Sequence, residues 1–343
     1  MNFSIKIVKF LNKIPFLYKM SYTIDQRDKR IMLELDRNSR QSISEISKNS
    51  KIPRNIVDYR IRQLVKEKII TKFVTEVALG KIGYFTYKIY CQISGLSKEI
   101  QDNFYRDLIE NKNFIWVAKC EGRWDLLLAS YAKNIIEFNK IKKEFLMKYG
   151  KFISDYAITT VDEAYILERI YLSEGKRRKS VELYMGGTEV AQIDSADKKL
   201  LEILANNARI KIIELSKILK LNVRTSLSKI KRLEKEGVIQ GYTTFFDLKK
   251  INYHFFKICI YLKDINEKRY KELISFCKEQ KNVVHLIESV GPWELELEIE
   301  TPSNIEFQEI NNEIRNAFSD IVRKVESVII TDEMKLEFLP QNI

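Results

Sequence analysis

Arg54, Asn55, Asp58, Tyr59 and Arg62 recur at the spacing that places side chains on the outer face of one helix. Through the major groove, an Arg can fork onto guanine and an Asn onto adenine, which makes Arg54 and Asn55 candidates for reading base edges. A later run, Arg224, Thr225, Ser228 and Lys231, repeats that geometry with different side chains, and Arg224 is its base-reading candidate. Arg40, Lys51, Arg209, Lys220 and Lys229 flank these faces and suit contacts to phosphate, which position a protein without specifying sequence. A third pattern is a Gly turn beside an aromatic and a carboxylate: Gly122, Trp124 and Asp125, then Gly291, Trp293 and Glu294. The acids could take the ammonium of an amino acid. The tryptophans could line such a pocket or simply pack under the turn.

The elements that carry these residues occur twice. DQRDKRIMLELDRNSR at 25–40 returns as DSADKKLLEILANNAR at 194–209, an offset of 169. The same ungapped register aligns Glu45 with Glu214, Leu64 with Leu233, Gly122 with Gly291 and Glu168 with Glu337. A repeat this long marks duplicated modules rather than a solenoid. The division expected is an extension at 1–24, a helical domain at 25–73, a sheet domain at 74–172, a linker at 173–193, a second helical domain at 194–242 and a second sheet domain at 243–343.

Within each helical part, Asp25 and Asn222 are expected helix caps, and Ser42 with Glu45 makes a capping box. Pro53 suits the first turn of the third helix. That helix buries Ile56 or Val57 with Ile61 and Leu64, and its copy buries Leu227 or Ser226 with Ile230 and Leu233. Gly237 supplies a left-handed helix end where the first copy has Lys68. Tyr84–Ser94 then alternates as a half-buried strand does. A helix (97–111), two strands (114–121 and 124–132), a helix (135–149) and a strand (154–161) complete a βαββαβ order.

A helix-turn-helix followed by βαββαβ resembles the leucine-responsive Lrp/AsnC family of transcriptional regulators. The resemblance rests on the run Asp25 to Met32 with its copy Asp194 to Leu201, and on the V-x-x-R/K-I-x-x-L signature at Val57 to Ile70 with its copy at Ser226 to Ile239. It also rests on the Gly122–Asp125 turn. It implies an α+β fold: a tandem repeat of a helix-turn-helix (winged-helix-like) domain plus a ferredoxin-like βαββαβ domain that binds effectors and dimerises. Pro53 and Glu294 depart from the family pattern, and the family usually carries one unit per chain.

Charge supports a polyanionic partner. Of the net +12, residues 25–73 hold +6 and 194–242 hold +5, whereas 243–343 sum to −5. A positive excess confined to the helical parts is the footprint expected for duplex DNA. Four scattered cysteines and two histidines, His254 and His285, exclude zinc-finger spacing and fit a reducing cytoplasm. No cofactor or metal is expected. No apolar run is long enough to span a membrane, and Met20, just upstream of the first organised segment, is a candidate start residue. The function expected is a sequence-specific, cytoplasmic DNA-binding regulator, responsive to an amino acid. Its two copies are fused as an intramolecular pseudo-dimer with the sheets face to face, and chains associate further through the sheet domains. The alternatives are a sensing or assembly protein without DNA binding, or an enzyme resembling siroheme decarboxylases. Because the two outer faces differ, the operator should be asymmetric.

Overall fold

The computed structural model describes residues 22–173, 182–183 and 189–340. Met20, nearly all of the expected extension and most of the expected linker lie outside them. The first unit opens with α1 (Gln26–Arg37), α2 (Ile43–Ser50) and α3 (Arg54–Lys66). Asp25 and Asp28 cap α1 reciprocally, and Ser42 and Glu45 do the same for α2. Each such cap contributes about 1 kcal/mol. Lys51 takes a left-handed φ of 56° to turn the chain tightly into α3. Pro53 is itself the N-cap there and offers no side-chain hydrogen bond.

The copy has α6 (Ser195–Asn206), α7 (Ile212–Leu219) and α8 (Val223–Lys235), with Asn222 capping α8 through the Thr225 amide. Val57, Ile61 and Leu64 point inward from α3, and Ser226, Ile230 and Leu233 from α8. Of each pair of alternatives, Val57 and Ser226 are therefore the inward members, and Leu227 is 41 % exposed. Lys68 accepts a φ of 55° where Gly237 has 70°, so the first copy makes the same left-handed exit without glycine.

Each third helix leads into a strand absent from the sequence reading. β1 (Ile70–Val77) and β7 (Ile239–Phe246) form an antiparallel ribbon in which Val74 pairs with Thr243, its own counterpart at offset 169. That self-pairing places a local twofold axis through the ribbon, the arrangement of an isologous interface. The expected division after residues 73 and 242 falls inside these two strands. The ribbon also exchanges partners. The Thr75 hydroxyl donates to the Leu204 carbonyl in α6 (2.7 Å), and Thr244 donates to Leu35 in α1 (2.9 Å). Each first helix thus packs on the other unit's strand.

The sheet parts follow. The first contains β2 (Phe85–Ile93), α4 (Lys98–Glu110), β3 (Trp116–Gly122), β4 (Leu126–Ala132), α5 (Ile135–Tyr149) and β5 (Ile153–Ile166), to whose end a short β6 (Glu182–Leu183) adds. The second contains β8 (His254–Leu262), α9 (Glu267–Glu279), β9 (Val283–Val290), β10 (Leu295–Thr301), α10 (Asn304–Ala317) and β11 (Val322–Leu336). Strand orders β5-β2-β4-β3 and β11-β8-β10-β9 are the ferredoxin-like order in both. β3 then pairs with β11 and β5 with β9, so the two sheets meet along their edges and close into a ring of eight strands. Closure leaves those edges no unpaired backbone to aggregate through.

Inside the ring sit Tyr90, Trp124 and Trp293, with a buried ionic centre. Lys88 and Lys257, counterparts at offset 169, both donate to Glu296 Oε2, at 2.6 and 2.8 Å. Trp293 Nε1 and the Thr159 hydroxyl satisfy Glu296 Oε1 at 3.1 and 3.2 Å. Two lysine charges hold Glu296 ionised despite full burial. Leu127 occupies the equivalent position in the first half, so one carboxylate serves both lysines.

Candidate nucleic-acid interface

The outer face of α3 presents Asn55, Asp58, Tyr59 and Arg62, and the face of α8 presents Arg224, Leu227, Ser228 and Lys231 at the same offset. Arg54, Asn55, Arg62, Arg224, Ser228 and Lys231 are exposed, Tyr59 is 55 % exposed, and Asp58 and Thr225 are half-buried. Asp58 is also engaged by Arg62 at 2.5 Å, one turn away on the same helix. Arg54 and Arg224 are not equivalents: Val223 stands opposite Arg54, and Asn55 opposite Arg224. Sequence reading omitted Leu227 from the outer face because a leucine at helical spacing reads as core. Its side chain is exposed between Arg224 and Lys231 along one face.

The residues expected on phosphate divide. Lys51 and Lys220 are exposed at the left-handed turns before the third helices, at φ 56° and 57°, where their ammonium groups remain free to meet a backbone. Arg40, Arg209 and Lys229 are engaged within the protein. Arg40 donates from Nη1 to the Ala208 carbonyl, and Arg209 donates to the carbonyls of Ser39 and Gln41, the latter at 3.0 Å. Each guanidinium also covers an aromatic ring of the ribbon, Arg40 over Tyr242 at 5.3 Å and Arg209 over Phe73 at 5.5 Å. Burial and the neighbouring Arg40 charge push the Arg209 pKa down. The two arginines clasp the helical units to each other. Lys229 donates to Asp194 at 2.6 Å and to Asp197 at 3.0 Å, as Arg60 does to Asp25 and Asp28 at 2.8 and 2.9 Å in the first copy. The Lys229 hydrogen bond lowers Asp194 to about 2. This pair ties the third helix to the cap of the first.

The Gly-x-Trp turns prove to be joints as well. Asp125 Oδ2 accepts from the Ile93 amide and Glu294 Oε2 from the Leu262 amide, both at 2.7 Å and related by the offset of 169. In each acid the other oxygen accepts none of these amide bonds. Trp124 and Trp293 are buried, 6.4 Å apart between ring centroids, inside the closed ring. A Cβ at Gly122 would lie 2.7 Å from the Ser327 carbonyl, and one at Gly291 would lie 2.8 Å from that of Ile158. Only glycine lets each turn approach the opposite sheet so closely.

Comparison with known proteins decides the family. A winged helix-turn-helix DNA-binding model matches residues 24–71 and again 193–240. An HTH-type transcriptional regulator of Pyrococcus furiosus is 32 % identical over 152 residues, which cover 99 % of that relative and 42 % of this chain. This chain belongs to the HTH-type transcriptional regulators, as a tandem member of the Lrp/AsnC family. The family relative FL11, also from Pyrococcus furiosus, is 29 % identical over 142 residues, 87 % of its length and 41 % of this chain. Among solved structures, the siroheme decarboxylase NirDL matches 93 % of this chain and 95 % of its own, with a TM-score of 0.61 and 13 % identity. That match shows a shared fold, across both units of this family member. No helix among the described residues is long and apolar enough to cross a membrane.

Proposed function

We propose that the chain is a sequence-specific DNA-binding regulator that grips one duplex with both recognition helices, α3 and α8, as an intramolecular pseudo-dimer. The observation that carries this reading is the ribbon. β1 and β7 follow directly on the two recognition helices and pair about a local twofold, clasped by Arg40 and Arg209. Two outer faces held at one fixed separation match two half-sites at one spacing.

In this reading Arg54, Asn55, Tyr59, Arg62, Arg224, Thr225, Ser228 and Lys231 meet the groove, with Leu227 added, and Lys51 and Lys220 meet phosphate. The helical domains extend through the ribbon strands, to 77 and 246. The protein works in the cytoplasm. Exposed Ile135, Ile136 and Met147 on α5, with Ile305 on α10, favour further association of chains through the sheet domains. Amino-acid responsiveness draws no support from the Gly-x-Trp turns, whose acids hold backbone amides. The test is a gel-shift titration with footprinting at several salt concentrations. Specific binding that weakens steeply with salt over an asymmetric footprint supports the reading.

A second reading, an enzyme of the siroheme-decarboxylase kind, has one observation in its favour. His285 Nδ1 lies 2.6 Å from Glu298 on the wall of an internal cavity, a geometry suited to proton transfer. Absorbance spectra of the chain with added siroheme separate the two: unchanged spectra exclude the enzyme.

A further inference from the structure

Between the β1–β7 ribbon and the closed ring lies a cavity of about 180 Å³, roughly six waters' share of liquid volume. Val74 and Thr243, paired on the local twofold, both line it, so the cavity sits on the axis relating the two halves. Perfect duplication would line such a space twice with the same groups. The two halves line it differently. Glu298, Glu300 and Glu333 stand where the first half, at offset 169, has Ala129, Tyr131 and Ala164. His285 stands opposite Trp116, and Arg169 opposite Phe338. The second half supplies Glu298, Glu300, Glu333 and Glu337 together with Phe245, Phe246, Phe255 and Phe338, whereas among the described residues the only lining carboxylate from the first half is Glu76.

The second half's acids are incompletely matched. Glu300 is held by Arg169 through two bonds of 2.9 Å, and Glu298 by Lys257 at 2.9 Å and His285 at 2.6 Å. Glu333 receives the Trp116 indole N–H at 3.0 Å and has no cationic partner among the described residues. Surrounding protein, with the like charges of Glu298 and Glu300, pushes its carboxyl up to about 7. By accessible surface the residue is exposed, and it lines both this cavity and the neighbouring open groove. Glu337 has Lys335 Nζ 3.7 Å from its Oε1, while its Oε2 is buried and accepts no hydrogen bond. The equivalent Glu168 is gripped by Arg37 at 3.3 Å, but the counterpart of Arg37 is Asn206, which carries no charge. Five carboxylates and three basic groups line the cavity, and Lys257 and Lys335, just outside the lining, pair with Glu298 and Glu337.

We infer that this cavity binds a small organic cation, an amine or guanidine without a carboxylate of its own, at Glu333 and Glu337 and beside Trp116 and Phe338. Its N–H donors give Glu333 a cationic partner and Glu337 Oε2 a donor, and its charge and stem lie against aromatic faces. An amino-acid zwitterion would bring a further carboxylate into an already acidic wall. Glu76 and Phe245 of the ribbon also line the cavity, so occupancy acts on the element that spaces the recognition helices. The site stands whether or not those helices read DNA.

The test is isothermal titration of the full chain, without DNA, using putrescine and agmatine as probes and glutarate and leucine as controls. One site per chain is expected for an amine, because the cavity lies on the axis. Glu333→Gln, nearly isosteric, should weaken it roughly tenfold, the loss of one charged hydrogen bond. Ala164→Leu, which narrows the cavity and leaves every charge, should weaken it too, and Arg54→Ala should leave it unchanged. Absence of heat with both amines, tighter binding of glutarate or leucine, or full affinity in Glu333→Gln would each overturn the inference.

Discussion

Arg40 and Arg209 share one side chain at one offset, and each reaches into the other's unit. Asn55 and Arg224 sit at the same offset on the outer faces and do not match. The pattern extends through the molecule. Asp125 and Glu294 keep one job on equivalent amides, and Arg60 and Lys229 keep another on equivalent helix caps. The cavity lining and the recognition faces have diverged. The jobs kept in both copies are internal joints, within a half or between the halves, whereas the recognition faces and the cavity lining are where the copies have drifted apart. A homodimer must present the same residue twice, whereas a fused pair is free to differ, as Glu296 does from Leu127 between the two lysines.

The largest effect should come from forcing symmetry on that centre. Glu296→Leu copies the first half's residue, leaves Lys88 without its carboxylate and Lys257 with Glu298 alone, and should destabilise the fold by about 3–5 kcal/mol in urea titrations, the cost of breaking a buried pair. A neutral result would mean that water or a neighbour already compensates those charges, and that the asymmetry there is incidental.

Next, Arg40→Ala and Arg209→Ala should each lower stability by about 1–3 kcal/mol, through orphaned carbonyls and lost ring contact. Neither should alter the salt dependence of DNA binding. A phosphate contact would instead reduce the salt slope by about one. The same gel-shift series thus distinguishes a joint from a phosphate anchor.

The smallest effects concern base preference. Arg54→Ala and Arg224→Ala should each relax preference in a different half of the operator by about 1–3 kcal/mol, if each forks onto guanine. Selection from randomised duplexes reads this directly. Loss confined to the same half-site in both variants would show that one recognition helix alone reads sequence.

Much of this architecture was legible because duplication left a constant offset and because caps and alternating strands have local signatures. Asp25 and Ser42 needed no tertiary knowledge, and the strand within Tyr84–Ser94 was found although Thr86 to Cys91 are all buried instead of alternating as a half-buried strand would. The ribbon strand Ile70–Val77 was not legible: its second half is buried on both faces, so the alternation that marks a strand disappears. Arg40 and Arg209 read as phosphate contacts because their acceptors are carbonyls some 168 residues away, in the other unit. A signal was nonetheless present. Both copies kept an arginine there while the recognition faces changed, as a joint would and a base reader would not. The asymmetric cavity was hidden for another reason, since its opposing walls meet only when the ring closes.

The central claim is that one chain reads one asymmetric site with two unlike recognition helices in a fixed frame. Footprinting the intact chain on a duplex selected from a randomised pool, at several salt concentrations, tests it most directly. The account predicts two protected half-sites of unlike sequence at one fixed spacing, with affinity falling log-linearly as salt rises. A perfect palindrome, or no retained duplex even at low salt, would contradict it.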